Sequence, residues 1–322
     1  MSLTDEVTQP PEVSEIEPAA DGPVGSARRD TRSGILMALP AIIGLIVFVV
    51  IPFLLAIYLS TQNVKLNSPR PPKFVGLEQY QRILFDEQFA PTFWRGLLNN
   101  AIFALVVVPV QTALALGIAM LLNRPLRGMG AFRTLFFMPV VFPMALVAVI
   151  WKLIYARSDE GLLNAALHTI TFGNFTAQDW LGDTKWALLS IIVLSIWQGV
   201  GFQMVIILAA LQGIPSSLYE AASIDKANSW KQFRYITLPQ LRNTLIFVVM
   251  VTSILAFRLF DQVYILTAGG PQNSTTTVMY QAVTTAFDQN NVGRASAITV
   301  VFFVIVLTLT LIQRRVLREE VD

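Results

Sequence analysis

Few residues in this 322-residue chain have side chains suited to covalent or metal chemistry. There is no cysteine and a single histidine, His168. Thiolate catalysis, disulfides, cysteine-ligated zinc or iron–sulfur centres and His-pair metal sites are therefore excluded. No G-x-x-x-x-G-K-[ST] phosphate loop occurs, so energy from ATP would have to come through a partner. Paired carboxylates, which acid–base chemistry would need, are missing from the apolar stretches, where Asp261 is the one acid. What remains is the chemistry of recognition. Ser195, Trp197, Gln198, Gly199, Phe202 and Gln203 fall within about three helical turns. Aromatic faces beside amides and hydroxyls suit a neutral sugar, since they offer an apolar surface together with donors and acceptors. The plainer account of the same cluster is helix packing, in which Ser, Gly and Gln are common glue. Arg258 and Asp261, at i and i+3, read as a local ion pair that lowers the penalty of both charges; an anionic solute would give Arg258 a second role. Asn99, Asn100 and Gln111 read as interhelical glue, and His168 as a solvated residue of an outer loop.

The elements that must carry these residues follow from composition. Hydrophobic residues make up 54% and charged residues 14%, against about 25% charged in a soluble domain. Too few charges are present to cover a water-facing surface of this size. Six runs of roughly twenty apolar residues stand out: Ile35–Leu59, Leu97–Leu122, Phe132–Ile154, Trp186–Leu211, Leu245–Leu266 and Ala295–Ile312. The expected fold is all-α, a polytopic membrane protein with six transmembrane helices. Arg28, Arg29 and Arg32, then Arg124, Arg127 and Arg133, then Lys226, Lys231, Arg234 and Arg242, and finally Arg314, Arg315 and Arg318 fall on one side. The longer loops of the other side carry fewer cations, which places both termini in the cytoplasm.

Residues 1–33, rich in Pro, Glu and Asp, read as a disordered cytoplasmic tail. Residues 34–316 form the six-helix transmembrane body and 317–322 a short cytoplasmic tail. The first span reads as an anchor, with no small-residue cleavage site. In the outer loop 60–96, Tyr80, Ile83, Leu84 and Phe85 make an amphipathic stretch fit to cap the bundle mouth. Pro271–Thr277 reads as a turn followed by a Thr-rich stretch.

The connection at 213–243 is long for a bundle loop and has the composition of ordered helix. Ser217-Leu-Tyr-Glu220 fits a capping box, as does Ser229-Trp-Lys-Gln232. Leu238-Pro239 then leads into the fifth span with proline in a first-turn position. The expectation is a helix–turn–helix at the membrane face that displays Tyr219, Trp230 and Phe233.

These residues carry a resemblance. Glu220-Ala221-Ala222, then Asp225 and Ala227, then Ile236-x-Leu-Pro239 resembles the EAA loop of bacterial ABC importer permeases. Lys226 stands where that family usually has Gly, so the break after the first short helix is expected to be less sharp. Phe260-Asp-Gln-Val-Tyr-Ile-Leu-Thr-Ala-Gly-Gly-Pro271, Thr275-Thr-Thr and Gly293-Arg-Ala-Ser-Ala297 are similar to carbohydrate-uptake permeases of the maltose and glycerol-phosphate type. The likeness runs from about residue 34 to the end. It implies a second homologous permease, two ABC ATPase subunits that bind ATP and Mg, an extracytoplasmic solute-binding protein, and a place in the bacterial inner membrane. It also implies that Glu220, Ala221, Ala222, Asp225, Ala227, Ile236 and Pro239 form the coupling segment that docks on the ATPase. The same alignment puts Ser195, Trp197, Gln198, Gly199 and Phe202, with Thr252, Leu255 and Leu259, along a solute cavity; Arg258 and Asp261 lie near its outer end. On the third span the matching positions are Val140 and Met144, both apolar.

A subunit of an ATP-driven importer for a sugar or sugar-like solute follows, with glycerol-3-phosphate or a glycerophosphodiester as the alternative cargo. A stand-alone channel or secondary transporter would show inverted repeats and charged midplane sites, which the sequence lacks. Neither a nucleic acid partner nor a resident cofactor or metal is implied.

Overall fold

The computed structural model describes residues 26–316 apart from 70, 125–126 and 159–160, so the expected tails at 1–25 and 317–322 lie outside the described residues. Two compact units divide at Leu54. The first holds α1 (Ser26–Leu45), a π-turn (Ile46–Val50) and the start of α2 (Ile51–Ser60). Helix therefore begins eight residues inside the stretch read as a tail. Its apolar part, Leu36–Ser60, is long enough to span a membrane. The π-turn has a local cause. Pro52 would clash with the carbonyl four residues back, at Phe48, and a wider turn there relieves the clash.

In the second unit a two-stranded ribbon, β1 (Gln62–Asn63) against β2 (Lys73–Phe74), leads to α3 (Glu78–Phe85). α3 is amphipathic as expected: Ile83 is buried, Tyr80 and Leu84 pack on the core, and Phe85 is exposed. It lies against α4 (Ala90–Leu122) and α15 (Val292–Val316). The remaining helices are α5 (Met129–Val141), α6 (Met144–Ile154), α7 (Leu162–Ile170), α8 (Ala187–Gln212), α9 (Ser216–Ile224), α10 (Ser229–Gln232), α11 (Leu238–Gln240), α12 (Arg242–Phe257), α13 (Asp261–Leu266) and α14 (Val278–Phe287). His168 sits exposed on α7, not in a loop.

α4 is the axis of the bundle. Along its length it packs on α8, α12 and α14, while α5 packs on α8 and α13 on α6. One apolar core gathers around Phe93, Phe103, Ile191, Leu194, Phe257 and Phe302. A second, toward the far end of α4, gathers around Ala119, Leu122, Met204, Ile207, Leu211 and Leu241. Gly201 lets α5 and α8 approach closely, because a Cβ there would run into the Phe136 carbonyl.

Among the described residues four helices are long and apolar enough to cross a membrane, and two bent pairs raise the number to six if each pair is one span. The expected third span is broken, with α5 and α6 meeting at 99°. Pro143 is the reason: it cannot donate to the helix, and it holds Phe142 extended at φ −80°, ψ 139°. The expected fifth span is broken as well. It starts at Arg242, after a 65° bend at Leu241, ends at Phe257, and resumes as α13 only at Asp261. Pro239 belongs to the helical run before that bend and not to the first turn of the span. A second π-turn, Phe233–Thr237, precedes it and widens the backbone around Tyr235, whose carbonyl Pro239 would otherwise meet.

Candidate functional site: a polar cavity and an exposed helical hairpin

A cavity of about 500 Å³ opens between α4, α8, α12 and α13, with Val140 of α5 and Met144 of α6 at one edge. α8 supplies Ser195, Gln198, Gly199, Phe202 and Gln203, at spacings i, i+3, i+4, i+7 and i+8 that put them on one helix face. α12 and the break after it supply Thr252, Leu255, Arg258 and Leu259, and α13 supplies Asp261. Gathering these positions around one space is the work of the bundle, since they come from helices far apart in sequence.

Trp197 is the exception. It does not line the cavity. Its ring packs on Trp151 with centroids 5.4 Å apart and is 44% exposed. Neighbours one or two places along a helix do not share a face, so Ser195 and Gln198 turn inward while Trp197 turns out. The pairing of its indole with the Gln198 amide, read from adjacency in sequence, does not form.

Arg258 and Asp261 both face the cavity, both are exposed, and no ion pair joins them. The expectation of a pair assumed an unbroken helix. Arg258 instead caps α12 and Asp261 opens α13, with Phe260 between them at φ −138°, ψ −63°, so the i, i+3 geometry is lost.

The polar lining is held in defined orientations. Thr252 Oγ1 donates to Val248 O at 2.7 Å and accepts from Gln203 Nε2 at 2.5 Å. That fixes the Gln203 amide and leaves its Oε1 buried without a partner, an acceptor still to be satisfied. Ser195 Oγ donates to Ile191 O at 2.7 Å and accepts from Gln262 Nε2 at 3.4 Å. Gln198 Nε2 donates to Phe142 O at 3.2 Å, a carbonyl exposed by the proline break. One amide thus lines the cavity and braces the kink in the third span.

Gln111, read as glue, lines the cavity and occupies the space that a Cβ on Gly199 would take. Asn99 and Asn100 do act as glue. Asn99 Nδ2 donates to Asn273 O and Thr276 O at 3.1 and 2.8 Å, and Asn100 Oδ1 accepts from Val278 N at 3.0 Å. Sequence reasoning missed Phe103, Val107, Ala256 and Gln262 as lining residues. The i, i+4, i+8 stripe Phe103, Val107, Gln111 on α4 was the available signal.

The expected helix–turn–helix is present at the opposite extreme of exposure. α9 and α10 bury no residue. Glu220, Ala221 and Asp225 are exposed, Ala222, Ala227 and Ile236 half-buried, and Pro239 exposed. Neither capping box forms. α9 starts at Ser216 after Pro215, with no side-chain cap; because Ser217 already lies inside the helix, its hydroxyl cannot cap. α10 is capped one residue earlier than expected, by Asn228, whose Oδ1 accepts from Lys231 N at 2.9 Å. The break after α9 is as sharp as a glycine would make it: Lys226 takes φ 57°. Ala227 N donates to Ala222 O and Lys226 N to Ser223 O, the paired bonds of a left-handed helix stop. Tyr219 Oη meets Thr237 Oγ1 at 2.9 Å, and Gln232 Nε2 donates to Ser223 Oγ at 3.2 Å, tying the two arms together.

Residues 111–319 match the family described as binding-protein-dependent transport system inner membrane component. The chain belongs to that family. It is a permease, the non-catalytic transmembrane component of an ABC importer. It is 34% identical to a trehalose/maltose transport system permease protein of Thermococcus litoralis, across 89% of this chain and 94% of that protein. It is 34% identical to a lactose transport system permease protein of Rhizobium radiobacter, across 89% and 91%. A sulfoquinovosyl glycerol transport system permease protein of Agrobacterium fabrum is 31% identical across 90% and 91%. The fold is that of a chain in a bacterial ABC transporter involved in import of the acidic polysaccharide alginate. The TM-score is 0.74 at 22% sequence identity, covering 92% of this permease and 99% of that chain.

Proposed function

We propose that this permease forms half of the translocation pathway of an ATP-driven importer for a sugar or sugar-like solute. It sits in the bacterial inner membrane with both termini cytoplasmic. A second homologous permease completes the pathway, two ABC ATPase subunits bind ATP and Mg, and an extracytoplasmic binding protein delivers the solute. The observation that carries this reading is the amide- and hydroxyl-rich face of α8 around the 500 Å³ cavity. Sugar hydroxyls both donate and accept; Gln198 and Gln203 carry both capacities, while Thr252, its proton committed to Val248 O, offers an acceptor. Phe202 and Leu255 supply apolar surface for the ring faces. The relatives named for trehalose/maltose and lactose transport point to the same class of cargo.

Coupling falls to the hairpin. Glu220 and Asp225, exposed on α9 and at its end, present carboxylates to a partner surface, and the half-buried Ala222 and Ile236 hold the arms in place. A second reading rests on Arg258, a cation facing the cavity without an ion pair to Asp261. It favours an anionic cargo such as glycerol-3-phosphate or a glycerophosphodiester, and the sulfoquinovosyl glycerol relative adds weight to it. Solute-stimulated ATPase of the purified complex, with its binding protein, decides between them. Stimulation by neutral sugars that survives Arg258→Gln supports the first reading. Stimulation by phosphodiesters that Arg258→Gln removes supports the second. Specific uptake by the single chain in liposomes would overturn both.

A further inference from the structure

A second hollow, of about 330 Å³, shares no lining residue with the solute cavity. It lies between the start of α4, the face of α14 and the first turn of α15. Leu122, Leu211 and Leu241 cluster toward the end of the bundle that carries the hairpin, so this hollow is at the other end.

Its distinctive group is Arg294. The guanidinium carbon stands 3.8 Å from the centroid of the Phe89 ring, which covers one face of the cation. Nε is buried without an acceptor. No carboxylate among the described residues forms an ion pair with it, and its backbone N–H donates to Asn291 Oδ1 at 3.0 Å. A planar fork of donors, backed by a ring and left without acceptors, is arranged for a planar two-oxygen anion.

The rest of the wall qualifies that preference. Asp288 lines the same hollow and would repel a bare anion. The Thr284 hydroxyl already donates to Tyr280 O, and the Tyr280 hydroxyl to Ala268 O at 2.7 Å, so both face a ligand chiefly as acceptors. Burial, then the Asp288 carboxylate and Tyr264, push the Tyr280 phenol above its ordinary range, which keeps it protonated. A ligand that pairs one carboxylate with several hydroxyl donors satisfies Arg294 and Asp288 together. Neither a simple anion nor a neutral sugar does.

We propose that this hollow is a binding site for a hydroxy-carboxylate about the size of one sugar-acid ring, with its carboxylate on Arg294 and its hydroxyls on Asp288 and Thr284. Its volume lies at the lower end of small-molecule sites. The inference stands on this hollow alone and needs no assumption about the solute pathway.

The test uses the full chain in lipid nanodiscs, titrated by calorimetry with sodium glucuronate, glucose and acetate as probes. Glucuronate should bind at least about 10-fold more tightly than glucose or acetate, the loss expected when a charge-assisted pair or its neighbouring hydrogen bonds are absent. Arg294→Gln and Arg294→Lys should each weaken glucuronate by about 10-fold or more. Asp288 is exposed, so Asp288→Asn leaves the fold intact whatever the arginine variants do, and it should erase the preference over acetate. Acetate binding as tightly as glucuronate would overturn the hydroxy-acid assignment. Unchanged glucuronate affinity in Asp288→Asn or in a folded arginine variant would overturn the site.

Discussion

The hairpin and the cavity wall are built on opposite principles. The hairpin is held by bonds between near neighbours in sequence: Asn228 to Lys231, Ala227 to Ala222, Tyr219 to Thr237. It buries nothing on α9 or α10. The cavity wall is held by bonds between distant elements. Gln203 reaches Thr252 across 49 residues, Gln198 reaches Phe142 across 56, and Gln262 reaches Ser195 across 67. An exposed element with local support is shaped before any partner arrives, and its side chains are free for that partner. A wall assembled from distant helices ties the shape of the cavity to the packing of the bundle. Substitutions in the hairpin should therefore uncouple the machine without unfolding it, whereas those in the wall should alter stability and solute handling together.

The largest effect is expected from Glu220→Lys. Reversing an exposed charge at the proposed docking helix removes a charge-assisted hydrogen bond and adds repulsion. Uptake should fall by at least about 100-fold, while membrane insertion and thermal stability stay at wild-type level. Copurification of the ATPase with the variant measures the docking step; normal yield with normal uptake would put the hairpin outside the coupling path. Gly201→Ala is the counterpart in the helix packing that supports the wall. Its Cβ would strike the Phe136 carbonyl, and backbone cannot rotate aside as a side chain can. Separating α5 from α8 should cost about 1–3 kcal/mol, read as a lowered melting temperature with solute handling impaired in proportion.

This contrast also explains what was legible in the sequence. Continuous apolar runs and the positions of prolines gave the spans, because hydrocarbon imposes length and internal hydrogen bonding on any helix that crosses it. The breaks at Phe142 and Arg258 were not foreseen, because a proline inside an apolar run is compatible with either a kink or a full break, and nothing local marks the stop after Phe257. The hairpin is legible as two short helices, but its caps are not: the first helix starts from Pro215, two residues before Ser217, and the second from Asn228, one residue before Ser229. Most of the cavity was reachable by helical spacing from Gln198. Trp197 falls outside the cavity because residues adjacent in a helical sequence do not share a face, and Gln262 is out of reach of the sequence because α13 exists only once the fifth span has broken.

Two substitutions sharpen the wall side of the comparison. Gln198→Leu removes a cavity amide and leaves Phe142 O without its partner. Losing one hydrogen bond to solute and exposing a carbonyl at the kink should lower uptake roughly 10-fold, with basal ATPase preserved because the hairpin is untouched. If uptake is normal and a cysteine probe at the site is unreactive from water, the α8 face is packing and not pathway. Trp197→Ala serves as its control. The ring packs on Trp151 outside the cavity, so transport should change less than in Gln198→Leu; a larger loss would return Trp197 to the pathway.

The smallest effect is expected at Lys226, and it isolates the local half of the comparison. The residue holds φ 57°, a conformation that is strained by about 1–2 kcal/mol for an L residue with a Cβ and is free of that strain for glycine. Lys226→Gly relieves the strain but enlarges the freedom of the unfolded chain, which takes back about 0.4–1 kcal/mol. The net gain should be roughly 0.5–1 kcal/mol, confined to the turn. Amide exchange at Lys226 and Ala227, whose N–H groups close the helix stop on Ser223 and Ala222, should slow by about 2- to 5-fold on that scale. Exchange on α4 and α8 should not move, because no bond from this turn reaches the bundle core. If the stop is already made by the sequence around it, as its paired hydrogen bonds imply, uptake in Lys226→Gly stays at the wild-type level. Slower exchange accompanied by a change in uptake would mean that the hairpin works by flexing at Lys226, and that its local rigidity is not the property the partner reads.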